Sequence, residues 1–299
     1  MTTQTAEAGV VIIDKPEGPT SHDVVARLRR ALGTRKVGHA GTLDPMATGV
    51  LVTAFGRGTR LLPYLQATRK QYRATVRLGQ ATTTDDRTGT PLHPPVAVCA
   101  DAAAIDTALQ GFTGEILQQP SAVSAVKVDG RRAHRLVRAG EQVHLPERPV
   151  TIYTLARISP LRPAPDGCVD VDIDLSCSAG TYVRALARDL GSVLGCGGHL
   201  TGLRRTAVGP FAASEACDLP DRDADGGTLD VLTPGQAAAA VLPSLVLDAD
   251  QSVRAGQGQR LPCPADADPG PWALVDGSGE LIAVAQAEGG SWSYRAVFR

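Results

Sequence analysis

Residues 36–51 read KVGHAGTLDPMATGVL, and the reading of the whole chain turns on them. Three glycines, Gly38, Gly41 and Gly49, enclose a single acid, Asp44, which Pro45 follows. Glycine lets a backbone come close to a ligand, and proline fixes its own φ and removes a donor. The wider window 24–80 carries eleven Lys or Arg and no carboxylate besides Asp44. An acid in so basic a field is poorly suited to a polyanion-binding surface unless it does chemistry. A Gly-rich turn whose Asp bonds its own backbone accounts for the same residues on local grounds. Charge and spacing alone leave the two readings level.

Composition sets the outer bounds. With 299 residues, 43% of them hydrophobic and 20% charged, the chain can bury one large core or two smaller ones. No stretch approaches the ~18 consecutive apolar residues of a membrane helix. The first residues, MTTQTAEAGVVII, lack the basic region and the long apolar run of a signal peptide. Six cysteines are scattered without framework spacing, as reduced thiols of a cytoplasmic protein would be. The net charge of −1 hides an uneven distribution. Residues 214–299 hold five basic and thirteen acidic side chains, against 25 and 18 in residues 1–213.

Working outward, 9–14 (GVVIID) is a short buried strand. Thr20 or Ser21 caps a helix over 22–32, with Val24, Val25 and Leu28 at helical spacing. Residues 49–55 form a second apolar strand and 58–65 a short helix. Residues 70–79 (KQYRATVRLG) alternate at period two, as a half-solvated strand does, and run into a polar turn holding Thr82, Thr84, Asp86 and Gly89. A helix over 101–109 follows. The segment 126–148 has six basic and three acidic residues around a short helix near 132–139, the usual pattern of a solvated face. Strands over 150–158 and 168–176 flank a Pro-rich loop, and a helix runs to 194. Residues 218–235 read as an Asp-, Gly- and Pro-rich linker. Short strands at 245–247, 259–262, 272–275, 281–286 and 292–298 then read as a small β-barrel.

Three motifs in this order carry a family resemblance. GHAGTLDPMATGVL, KxY…LGxxTxTxDxxG at 70–89 and CSxGTYxR at 177–184 resemble those of TruB-type tRNA pseudouridine synthases, with Gly198-His199 and Leu203-Arg204-Arg205 extending the match. The resemblance implies an α+β pseudouridine synthase fold, a mixed and largely antiparallel sheet flanked by helices. It implies a catalytic domain at 1–217 with an RNA-clamping insertion at about 119–148, a linker at 218–243 and a PUA-like β-barrel domain at 244–299. It also implies Asp44 as the catalytic acid, Arg184 as its partner and Tyr72 stacking on the target base, with Leu203 packing beneath that base. His39 is expected to enter the RNA, and Lys15, Tyr182, Lys127, Arg131 and Arg132 to contact it. The family commonly has Tyr where His134 stands and a second Pro where Ser121 stands.

The implied reaction isomerises uridine-55 in the T loop of tRNA. It changes no redox state and releases no group, so neither metal nor cofactor is needed. The implied partner is the tRNA T stem-loop, met by a cytoplasmic monomer with no membrane contact. Two alternatives stand beside it: a non-catalytic RNA-binding or tRNA-folding protein, and a guide-directed rRNA pseudouridine synthase. Other site types find little support. Cys196 and His199 lack the partner pair of a zinc set, and no deaminase pattern, Walker loop or dinucleotide fingerprint is present.

Overall fold

β1 (Gly9–Lys15) shows no polar alternation because both its faces are buried. The computed structural model describes residues 7–121, 145–221 and 229–298, with backbone alone for 127–128 and 131–132. After β1 come α1 (Ser21–Ala31), β2 (Val37–His39), β3 (Thr48–Phe55), a 3-10 segment and α2 (Leu62–Gln66). Next are β4 (Lys70–Leu78), α3 (Ala102–Gln110), β5 (Gly114–Gln118) and the short pair β6 (Lys127–Val128) and β7 (Arg131–Arg132). β8 (Arg148–Arg157), β9 (Arg162–Pro163), β10 (Val169–Cys177), α4 (Val183–Val193) and β11 (Gly198–Val208) follow. The chain closes with β12 (Phe211–Ala212), β13 (Cys217–Asp218), β14 (Val231–Leu232), α5 (Pro234–Ala239), β15 (Ser244–Val246), α6 (Ala249–Gly256), β16 (Pro271–Val275), β17 (Leu281–Glu288) and β18 (Ser291–Val297). The helix expected near 132–139 lies outside the described residues.

These elements form two compact units, one of residues 1–45, 49–68 and 207–299, the other of 46–48 and 69–206. In the first, β1 runs antiparallel to β3 and β14 and parallel to β13, while β2 pairs with β3. Val11 and Ile13 of β1 join Val24, Val25 and Leu28 of α1 in one core cluster. Val10 and Ile12 join the other, with Ala237, Ala238, Leu281 and Phe298 from the C-terminal part. Each buried Val, Ile, Leu or Phe among them contributes about 1.5–3 kcal/mol relative to exposure. The C-terminal strands make a four-stranded sheet, β15-β16-β17-β18.

Two elements there differ from expectation. Residues 259–262 are not a strand but hold one isolated bridge, Pro262 to Ser291. Residues 249–256 are a helix because Asp248 and Gln251 form a capping box that satisfies its first donors. The stretch read as a linker contributes β14 and α5, the latter likewise capped, by Thr233 and Gln236.

In the second unit the strand order is β11-β4-β10-β8-β5. Alternation along β4 buries Lys70, Tyr72, Ala74, Val76 and Leu78 and turns Gln71 and Arg73 to solvent. β10, which begins VDVDID, places Asp174, Asp172 and Asp170 directly opposite Arg73, Thr75 and Arg77. α4 packs its Gly191 so closely on the turn before β11 that an added Cβ would lie 2.2 Å from the Gly197 carbonyl carbon and the Gly198 nitrogen. That contact seats the helix carrying Arg184.

Backbone cannot yield as a flexible side chain does. Gly191→Ala is therefore expected to cost about 1–3 kcal/mol or more, lowering Tm by several degrees. Gly202→Ala, whose Cβ would meet Thr75 at an ordinary 3.5 Å, is the control and should leave the transition nearly in place. Thermal unfolding followed by circular dichroism compares the two; equal midpoints would mean the helix is seated otherwise.

Candidate active site

Asp44 lies half-buried in the loop joining β2 to β3, and the backbone on either side of it is fixed. On one side the Ser21 hydroxyl donates to the Leu43 carbonyl (3.1 Å) and accepts from the Leu43 amide (2.9 Å). On the other, the Pro45 carbonyl accepts from the Gly18 amide at 2.8 Å and from Lys15 Nζ at 3.4 Å. Gly41 and Gly49 sit at φ +103° and +100°, which only glycine adopts without strain. Thr20, not Ser21, caps α1, in a capping box with Asp23. Ser21 is thereby left for the loop.

Lys15, expected among the RNA contacts, is fully buried. Its ammonium also donates to the Pro16 (2.9 Å) and Pro19 (2.8 Å) carbonyls. Proline has no amide hydrogen, so these carbonyls lie in a segment poor in backbone donors, and the lysine fills that need. His39, at the end of β2, meets His22 of α1 edge to face, ring centroids 5.7 Å apart.

In the second unit Arg184 lies in the first turn of α4 and is 6% exposed. Its Nη1 donates to the Thr84 carbonyl at 3.0 Å and stands 3.5 Å from Asp86 Oδ2. Asp86 is held in turn: its Oδ1 accepts from the Thr84 hydroxyl (2.7 Å), the Thr88 amide (2.9 Å) and the Thr88 hydroxyl (2.6 Å). Sequence reading took Asp86 for a turn residue; the density of Thr and Asp in TTTDDRTG was the available signal.

Tyr72 is buried on β4, opposite Leu175 of β10. Leu203 is half-buried on β11. Tyr182 is the N-cap residue of α4, but its side chain does not cap. Its amide donates to Gln118 Oε1 (2.8 Å) and its carbonyl accepts from Gln118 Nε2 (3.1 Å). The side chains of Lys127, Arg131, Arg132 and His134 lie outside the described residues.

Lys70 was missed as a site feature. It is buried two residues before Tyr72 on the same face, directly opposite Cys177. Burial lowers its pKa to about 8; the nearby Arg205 pushes the same way and the Cys177 thiol opposes. Burial likewise raises the Cys177 thiol to about 11, against the pull of Thr181, Lys70 and Arg205.

Models of known families match this chain along most of its length. The TruB family pseudouridylate synthase N-terminal domain matches residues 29–183, and the tRNA pseudouridylate synthase B C-terminal domain matches residues 184–224. The tRNA pseudouridine synthase B of Arthrobacter sp. (strain FB24) is 49% identical over 292 residues, covering 95% of this chain and 94% of that one. That of Thermobifida fusca (strain YX) is 50% identical over 292 residues, covering 97% and 98%. Among solved structures, a chain of a Cbf5-Nop10-Gar1 complex is similar at a TM-score of 0.71 and 26% identity, over 97% of this chain and 85% of that one.

The Lys70 environment sets a pH dependence. Its folded pKa of about 8 lies below the ordinary 10.5, so between those values the unfolded chain holds a proton that the folded protein has released. Stability therefore rises with pH through that window by up to roughly 3 kcal/mol from this group, and the burden is fully present below pH 8. Urea midpoints of wild type and Lys70→Met at pH 7 to 10 test it. The wild type should gain on the variant as pH rises; a constant gap would mean Lys70 keeps an ordinary pKa.

Proposed function

The chain belongs to the TruB family of pseudouridylate synthases and makes pseudouridine in tRNA, and from that premise we propose that its target is uridine-55 of the T loop, with Asp44 as the catalytic residue. One observation carries the assignment of the acid. The backbone is bonded on both sides of Asp44, at Leu43 and at Pro45, so a single carboxylate is presented by a loop that does not have to find its shape. Preorganisation of this kind is what a reacting group needs.

Isomerisation breaks the N1–C1′ bond, turns the base and joins C5 to C1′. C5 then loses its proton and N1 gains one, so electrons and atoms balance and no cofactor is consumed. The target base lies in a folded loop and must leave its stack, at a cost of a few kcal/mol. In this reading Tyr72 stacks on the base, Leu203 packs beneath it, and stacking returns about 1–3 kcal/mol. His39 enters the RNA where the stack is disturbed. An ionised carboxylate attacks or stabilises the sugar, a form of nucleophilic catalysis, and Arg184 keeps it ionised. Tyr182, Lys127, Arg131 and Arg132 hold the RNA through the segment 119–148 and its neighbours, and residues 244–299 act as a PUA-like accessory domain. The enzyme works as a cytoplasmic monomer. Among the described residues no helix is long and apolar enough to cross a membrane.

Incubation with an unmodified tRNA transcript, then carbodiimide mapping of pseudouridine, tests the target: a single new stop at uridine-55 is expected, and stops elsewhere alone would refute the position. Asp44→Asn should abolish product while tRNA binding survives or tightens, because a negative charge facing phosphates has gone. Turnover by this variant, with reversion to Asp excluded by mass spectrometry, would sink the assignment. Arg184→Lys keeps the charge and loses the planar fork. Single-turnover rates should fall by about 100-fold or more, roughly 3 kcal/mol in the barrier, with little change in affinity. A loss confined to binding would make Arg184 a phosphate contact.

A further inference from the structure

Asp85, adjacent to Asp86, has no part in the mechanism above, yet it sits in an unusual place. It is a non-glycine residue at φ +58°, it is 9% exposed, and its carbonyl accepts from the Leu200 amide at 3.0 Å. Its Oδ2 lies 3.3 Å from Nη1 of Arg188, one helical turn beyond Arg184 on α4. Arg188 spends its whole fork on three directions. Nη1 faces Asp85, Nε donates to Asp189 Oδ1 at 2.8 Å, and Nη2 donates to the Gln119 carbonyl at 2.8 Å.

The third direction gives the arrangement its meaning. Gln119 belongs to the stretch that leaves β5, and it is fastened at several points. The Gln118 side chain grips the Tyr182 backbone through two hydrogen bonds. Gln119 Nε2 donates to the Leu145 carbonyl at 3.2 Å, joining the two described ends of the 119–148 segment. The buried Ser121 hydroxyl faces Asp85 outside strict hydrogen-bond geometry. Burial pushes the Asp85 carboxyl up, against the pull of Ser121, Arg188 and Arg184, so the acid is held where its charge is costly. Removing one partner of a buried ion pair is strongly felt, because the other charge is left uncompensated.

We propose that Asp85 and Arg188 are positioning residues for the modification reaction, locking residues 118–121 in register on the helix that carries Arg184. This rests on the pseudouridine-forming reading of the site and goes beyond it, because neither residue touches the reacting atoms. A planar five-donor fork presents its donors to two carboxylates and a carbonyl in one fixed geometry, which the three rotatable donors of a lysine do not impose. The lock acts on how well RNA is seated, so its loss is read in substrate saturation rather than in the chemical rate.

The test compares wild type with Arg188→Gln, Arg188→Lys and Asp85→Asn, the last chosen because Asn tolerates a positive φ. Single-turnover pseudouridine formation is measured against tRNA concentration, and amide hydrogen exchange is measured on the free protein. Arg188→Gln should raise the half-saturating tRNA concentration by about tenfold and leave the maximal rate within about threefold; Arg188→Lys should recover part of the loss. Peptides covering 114–121 should exchange faster in both charge-removing variants. Should Arg188→Gln fail to fold, Asp85→Asn carries the same comparison. Unchanged half-saturation, a loss of equal size in the maximal rate, or unchanged exchange overturns the proposal. Absence of product from the wild type would instead count against the reaction assigned to the site, while the exchange comparison would still decide on the lock.

Discussion

A lysine ammonium with no access to water holds the segment from which the Asp44 loop hangs. Burying such a charge costs several kcal/mol unless its donors are met, and Lys15 meets three carbonyls, those of Pro16, Pro19 and Pro45. The acceptors come from two stretches of chain that strand pairing brings together: Lys15 closes β1 opposite Gly49 of β3, and the Asp44 loop lies just before that glycine. Without the ammonium, the Pro16 and Pro19 carbonyls would lose the donor that Lys15 gives them. The turn, the loop and the start of α1 are thus one hydrogen-bonded object, with Ser21 as its other tie.

Charge in the folded protein is arranged differently from charge along the chain. In the window 24–80 Asp44 is the only acid, yet Arg77 makes a two-pronged contact with Asp170 at 2.8 and 2.9 Å, and Arg73 stands 3.7 Å from Asp174. Arg162, Thr75 and Ser159 all bond Asp172, and Arg162 foremost holds that carboxyl down at about 2. Arg57 and Arg60 cap the carbonyls of Phe298 and Val297, and Arg69 lies over the Tyr153 ring at 3.9 Å. Much of the basic excess is therefore structural. Exposed basic side chains also lie at the end of α1 and in the turn after it, at Arg29, Arg30, Arg35 and Lys36.

What could be read from sequence was what repeats locally. The alternation along β4, the spacing of Val24, Val25 and Leu28, and the motif glycines all report on neighbours a few residues away, and each element formed within a residue or two of its expected place. Partnerships across long separations were invisible. Nothing in VDVDID says that its acids will face Arg73 and Arg77 about a hundred residues earlier, because register is set by pairing. The same holds for Asp86 with Arg184 and for Lys70 with Cys177. The helix at 249–256 was missed for a different reason. Its capping box was present in the sequence, but the turn signals around it favoured short strands.

The two groups to which the chemistry is assigned, Asp44 and Arg184, belong to different compact units, and each is held by its own unit's bonds. Asp44 is fixed through backbone on either side of it, the means open to a short side chain on a loop. Arg184 is fixed through its side chain, by the Thr84 carbonyl and an Asp86 already committed to Thr84 and Thr88. A guanidinium on a long, flexible stem loses much rotamer freedom on being held, roughly 2 kcal/mol in full. Here that loss is met when the unit folds, by partners within it. Both conformations are thus set by bonds within the folded chain.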